Sequence, residues 1–192
     1  MQPRPPAYVA APYAAEHPEI RAWHVDRATL IARILVAEGL APILVHRNIV
    51  PLFGEETPAT REIGLACDVA LVDLVARDTR GVFAALLRND GIATDGMRLE
   101  FQTWQRRRGF SGTALTGPGV RAATWEGWGN AARAAGLEAA WRELENPRWR
   151  ATHDDTPRHG AYRSRRSQLG PNPAGADPAS LPDWTSGTRS GT

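Results

Sequence analysis

Residues 81–109 read GVFAALLRNDGIATDGMRLEFQTWQRRRG, and the fold turns on how this stretch is divided. GVFAALL (81–87) is a short apolar run of the length and content of a strand covered on both faces. RNDGIATDG (88–96) is polar, carries two glycines and leads outward as a loop. MRLEFQTWQRRRG (97–109) then takes on a helical pattern that Gly109 stops. A buried strand, a glycine-bearing loop and a helix start follow one another here within a few residues.

Working outward, the same alternation recurs. AYVAA (7–11) is a buried strand ending at Pro12. PEIRAWHVDRATLIARILVAEG (18–39) carries Ile20, Trp23, Arg27, Leu30, Ile31, Ile34 and Leu35 at helical spacing, with Gly39 as its stop. APILVH (41–46) reads as a second strand and NIVPLFGEE (48–56) as a loop. TPATREIGLACDVALVDLVAR (57–77) reads as a helix with Thr57 as cap and Pro58 at its first position. FSGTALTG (110–117) is a weak fourth strand, and Ala122 to Glu145 is helical by alanine content, although Gly127, Gly129 and Gly136 weaken it. The pattern predicts an α/β fold: a doubly wound, flavodoxin- or Rossmann-like parallel sheet with helices on both faces. No internal repeat is visible. Residues 1–150 form the expected domain, and 151–192, rich in Pro, Gly, Ser and Arg and poor in aliphatic residues, are expected to be a disordered tail.

In such sheets ligands collect at the carboxyl ends of the strands. Three loops are expected to meet there, APYAAEH (11–17), HRNIVPLFGEE (46–56) and RNDGIATDG (88–96). The third holds Asn89, Asp90, Thr94 and Asp95, with Gly91 and Gly96 permitting close backbone approach ahead of a helix N-terminus. Gly96 and Glu100 lie on one side of that helix, one turn apart. A carboxylate beside a glycine that leaves room for a sugar can reach an anomeric carbon, and the helix N-terminus favours its ionised form. An acidic residue in a first helical turn also serves merely as a complement to the macrodipole. His46, at the end of the second strand, faces the same mouth and is a candidate substrate contact or a loop-bonded histidine. Trp104, Trp125, Trp128 and Trp141 are read as covers for a core or a subunit interface.

YVAAPY (8–13), GLAPILVH (39–46) and GIATDGMRLEF (91–101), in that order, resemble the nucleoside 2-deoxyribosyltransferase-like superfamily, in particular its compact bacterial and phage members. The likeness spans residues 7 to about 108. It implies transfer or hydrolysis at the N-glycosidic bond of a nucleoside or nucleotide, with Glu100 as the nucleophile and Asp95 or Asp90 as acid or sugar ligand. It also implies a pocket formed by Pro12, Tyr13, Gly96, Met97 and His46, pockets completed across a homo-oligomer, and no cofactor or metal. Two departures stand out: Phe101 and Gln102 follow the glutamate where the family has a small hydrophobic residue and glycine, and Leu87–Arg88 replaces a Leu–Asp pair. A non-catalytic nucleotide-binding or interaction module and a phosphoribohydrolase-type enzyme remain as alternatives; the latter's PGGxGTxxE signature is missing.

Composition narrows the chemistry. All 23 basic residues are arginine, which excludes lysine Schiff bases and the P-loop lysine. Cys67 is the only cysteine, so no disulfide forms within one chain, and a cytoplasmic setting is expected. No apolar run reaches membrane-spanning length, and the N-terminus does not read as a signal peptide. The net charge is +2 with much of the excess in RHGAYRSRR (158–166), so nucleic-acid binding is expected, if at all, through the tail.

Overall fold

The computed structural model describes residues 3–13, 18–45 and 57–145. Four parallel strands, β1 (Pro6–Ala10), β2 (Ala41–Ile43), β3 (Val82–Leu86) and β4 (Val120–Ala123), lie in the order β2-β1-β3-β4. Among the described residues five helices accompany them: α1 (Pro18–Ala37), α2 (Pro58–Arg77), α3 (Asp95–Arg108), α4 (Trp125–Ala134) and α5 (Glu138–Leu144). The strand order reverses beside β1, as a doubly wound sheet requires. Register is fixed by Tyr8↔Ile43, Tyr8↔Phe83 and Phe83↔Val120.

Alternation along the strands divides the core in two. Ala7, Val9, Ala84 and Leu86 point to one face, where Ile31, Ile34 and Leu35 of α1 meet Trp125, Trp128 and Ala132 of α4. Tyr8, Ala10, Phe83 and Ala85 point to the other, packed by Val72, Val75 and Ala76 of α2 and by Met97, Phe101 and Trp104 of α3. On this second face Phe83 is stacked on Tyr8 at 5.8 Å between ring centres and tilted against Phe101 at 5.6 Å and Trp104 at 5.8 Å.

The helix ends follow local chemistry. Thr57 caps α2 through a box with Thr60, as its sequence predicts. Thr94 caps α3, so that helix begins two residues before the expected Met97. The expected fourth strand is misplaced. Residues 110–117 form a loop in which Phe110 and Leu115 pack against the α2/α3 core, and Gly117 and Gly119 hold positive φ of 140° and 71°. β4 starts only at Val120. The expected helix from Ala122 to Glu145 is likewise a strand end and two helices, broken where Gly136 takes φ 71°. The expected disordered tail lies outside the described residues.

Three of the tryptophans, Trp104, Trp125 and Trp128, are core residues. Trp125 and Trp128 are buried against α1, and Trp104 is fully buried on the opposite face. The Arg27 guanidinium lies between the rings of Trp23 (4.2 Å) and Trp125 (4.3 Å). Of the two roles read for them from the sequence, core cover or subunit interface, Trp125 and Trp128 thus take the first.

Two arginines at the end of α3 tie that helix to α2 and the turn that follows it. Arg107 bonds Asp73, and Arg108 donates to the carbonyl oxygens of Asp78, Thr79 and Gly81 (2.8–3.0 Å) while covering the Trp104 ring. Those carbonyls close the turn from α2 into β3. Arg108→Ala should therefore cost about 1–3 kcal/mol in urea unfolding, the range for stranding buried polar partners. Arg108→Lys should recover less than half of it, because an ammonium cannot reproduce the planar fork; an unchanged unfolding midpoint would contradict this.

Candidate functional site

Three polar side chains converge on the α2/α3 face from three elements. Tyr8 stands mid-strand in β1 with its side chain almost wholly enclosed. Asp68 lies on the inner face of α2, and Glu100 on the inner face of α3; both are buried. The Tyr8 hydroxyl donates a hydrogen bond to the Glu100 carboxylate, and Asp68 is close enough to act electrostatically on both. Tyr8 is two residues short of the carboxyl end of β1, so the cluster sits roughly 7 Å beneath the sheet edge at 3.3 Å per residue.

Desolvation governs their titration. Burial, reinforced by the Asp68 charge, pushes Glu100 up to about 8, and the Tyr8 hydrogen bond offsets only part of this. Burial pushes Asp68 up to about 6. Burial and then Glu100 raise Tyr8 well above the usual phenol range. The expectation that the helix N-terminus holds Glu100 ionised is therefore reversed. Because Thr94 is the cap, Glu100 falls on the second turn of α3, where the macrodipole has faded, and loss of water prevails. Two buried oxygens, Glu100 Oε2 and Asp68 Oδ1, have no hydrogen-bond partner among the described residues.

The other expected site residues are dispersed. Asp95 is exposed on the first turn of α3. Asp90 is exposed, accepts the Ile92 amide at 2.9 Å and pairs with Arg88 at 3.1 Å, which ties it to its own loop. Neither joins Glu100. The Met97 side chain is 2% exposed and fills the α2/α3 core, because its position on α3 points it at the sheet; it is a packing residue, not a pocket wall. Pro12 and Tyr13 are half-buried after β1, with the Arg21 guanidinium 5.7 Å from the Tyr13 ring centre. His46 lies outside the described residues.

Gly96 does share a side of α3 with Glu100. A Cβ there would meet only Leu65 Cδ2 of α2, at 3.9 Å, which is ordinary contact. Packing against α2 therefore does not demand glycine, and space remains open over the first turn of α3.

Asp68 and Tyr8 were not singled out from the sequence. The signal for Asp68 was present: it is a carboxylate inside the apolar run of GLACDVALV (64–72). Nothing distinguishes Tyr8 from an ordinary core aromatic until its hydroxyl is seen against Glu100. Among the described residues no cluster of His, Cys, Asp and Glu could hold a metal ion. A separate groove of about 360 Å³ runs along the β4 edge, lined by Arg121, Trp128 and Thr116 among others, and contains none of these site residues. Compared with family models, curated proteins and solved structures, the chain has no match.

The pH dependence of stability follows from the raised carboxyls. Between the unfolded carboxylate range near 4 and about 8, the folded protein retains protons that the unfolded chain has released, so stability is greatest at the acid end of that window and falls as pH rises through 6 and 8. Each pH unit separating folded and unfolded titration is worth about 1.4 kcal/mol. Glu100→Gln should flatten the fall and leave the variant more stable than the native protein at pH 8.5. Chemical denaturation at pH 5, 7 and 8.5 checks it; parallel pH profiles for both proteins would contradict the assignment.

Proposed function

We propose that the protein transfers or hydrolyses the N-glycosidic bond of a nucleoside or nucleotide through Glu100. The observation that carries this reading is the Tyr8–Glu100–Asp68 cluster: two desolvated carboxyls, one gripped by a phenol, beneath the ligand-binding edge of a doubly wound sheet. The resemblance of GIATDGMRLEF (91–101) to the deoxyribosyltransferase-like loop supports it independently.

The pair titrates as a unit. Between about pH 6 and 8 it holds a single proton, which rests on Glu100; passage of that proton to Asp68 frees Glu100 to attack and arms Asp68 to donate. A Glu100 oxygen bonds the anomeric carbon as the C–N bond breaks, and the bond electrons leave on the base nitrogen, which takes the proton from Asp68. A second base, or water, gives a proton to the Asp68 carboxylate as it attacks the same carbon, and the Glu100 carboxylate is released. A desolvated carboxylate is poorly stabilised alone and well stabilised beside a cationic oxocarbenium-like sugar, so its environment favours the transition state over the resting enzyme. Tyr8 fixes which carboxylate oxygen faces the sugar. The acid role expected of Asp95 or Asp90 passes in this account to Asp68, the carboxyl that shares a buried environment with Glu100.

A non-catalytic ligand-binding module is the second reading. It is favoured by the same titration, since a Glu100 that stays protonated can serve simply as a neutral hydrogen-bond donor.

Mixing the protein with deoxyinosine and adenine should yield deoxyadenosine, and Glu100→Ala should abolish the product. A 2-fluoro-deoxynucleoside should leave a sugar mass on Glu100; an inert nucleoside and nucleotide panel with no adduct would leave the binding-module reading. The rate should follow a bell with limbs near pH 6 and 8, and Asp68→Asn should leave only a rising limb, set by Glu100 and lying below about 8 because the Asp68 charge no longer raises it. Gly96→Ala should raise stability by up to about 1 kcal/mol by helix propensity yet increase KM, because the methyl enters space assigned to substrate. An unchanged KM would remove Gly96 from the pocket.

A further inference from the structure

The outward face of α2 is apolar. Ala59, Ile63, Ala66, Ala70 and Leu74 recur at helical spacing along it and are all exposed, Ile63 by 50% and Leu74 by 57%. The opposite face of the same helix supplies Val72, Val75 and Ala76 to the core. A surface helix normally sets polar residues opposite its buried stripe; one that is apolar on both faces belongs between two layers. The outward stripe spans about 22 Å of helix at 1.5 Å per residue, and no described element of the chain covers it.

We propose that a second copy of this chain covers the stripe, with the two α2 helices packed antiparallel across a two-fold axis. The stripe is self-complementary in the way such an interface requires. Its large residues, Ile63 and Leu74, stand toward the two ends, and its small ones, Ala66 and Ala70, stand in the middle, where crossing backbones come closest. An antiparallel pairing sets the Ile63 end of one helix on the Leu74 end of the other, twice.

Charge agrees with that direction. Beside Ile63, Glu62 has no ion pair among the described residues. Near Leu74, Asp73 is bound by both Arg77 (2.8 Å) and Arg107 (2.6 Å), a group of two guanidiniums and one carboxylate that is net positive. The two-fold brings each Glu62 toward the partner's positive group. A parallel pairing would set Glu62 against Glu62. The surface also differs from the tryptophan-rich segment expected from the sequence, whose Trp125 and Trp128 are consumed in the core. The inference does not depend on the reaction proposed above, because its readout is mass.

Sedimentation velocity of the full chain at 1–100 µM should show a dimer. Ile63→Arg and Leu74→Arg should each shift it to monomer with unchanged far-UV circular dichroism. Glu62→Arg should weaken the dimer a few-fold, and adding Arg77→Glu in the same chain should restore it. Should the arginine variants fail to fold, Ala70→Cys in a Cys67→Ser background provides the check: mild oxidation should give a disulfide-linked dimer. A native monomer throughout that range, a dimer indifferent to Ile63→Arg and Leu74→Arg, or the absence of cross-linked Ala70→Cys dimer would overturn the proposal.

Discussion

Removing two carboxyl groups from water is a costly arrangement, and the candidate site is organised around it. Glu100 on α3 feels the charge of Asp68 on α2, and among the described residues the hydroxyl of Tyr8 is its donor. A fold selected for stability alone would place leucine or methionine at either position, because buried charges are rarely repaid by packing. Titration near neutrality is the physical consequence, and the proposed cleavage of a glycosidic bond would draw on it.

The fold that holds the pair was largely legible. Short apolar runs at β1 and β3, the Thr57–Pro58 start of α2, and the Gly39 and Gly109 stops are local signals, and local signals decided those elements. What failed was non-local. Phe110 and Leu115 look like strand residues until they are seen packing on the α2/α3 core, and the glycines that follow at Gly117 and Gly119 postpone β4 to Val120. Alanine content suggested one long C-terminal helix because propensity carries no information about the left-handed turn at Gly136.

The site was legible by half. Glu100 stood out because a carboxylate follows a glycine turn at a helix start, and the structure gives it buried partners. Its partners come from positions 92 residues earlier and 32 residues earlier, Tyr8 and Asp68, and only the pairing of β1 with β3 and of α2 with α3 brings them together. Asp90 and Asp95 attracted notice by proximity in sequence, yet Asp90 on its loop and Asp95 on the first turn of α3 both face solvent. Ionisation was misjudged for the same reason: a helix terminus is visible in a sequence, whereas enclosure by a neighbouring helix is not. α2 links these themes, since its inner face carries Asp68 and its outer face the stripe assigned to a second copy.

The central claim is that Glu100 and Asp68 form a proton-sharing pair in the folded protein, and carboxyl carbon chemical shifts read it directly. With both side chains carbon-13 labelled and followed from pH 4 to 9, the account predicts midpoints near 6 and 8, the upper one rising further when Tyr8 becomes phenylalanine. Two independent midpoints below 5 would mean that both carboxyls are hydrated and uncoupled, and the candidate site would be an ordinary pair of surface acids.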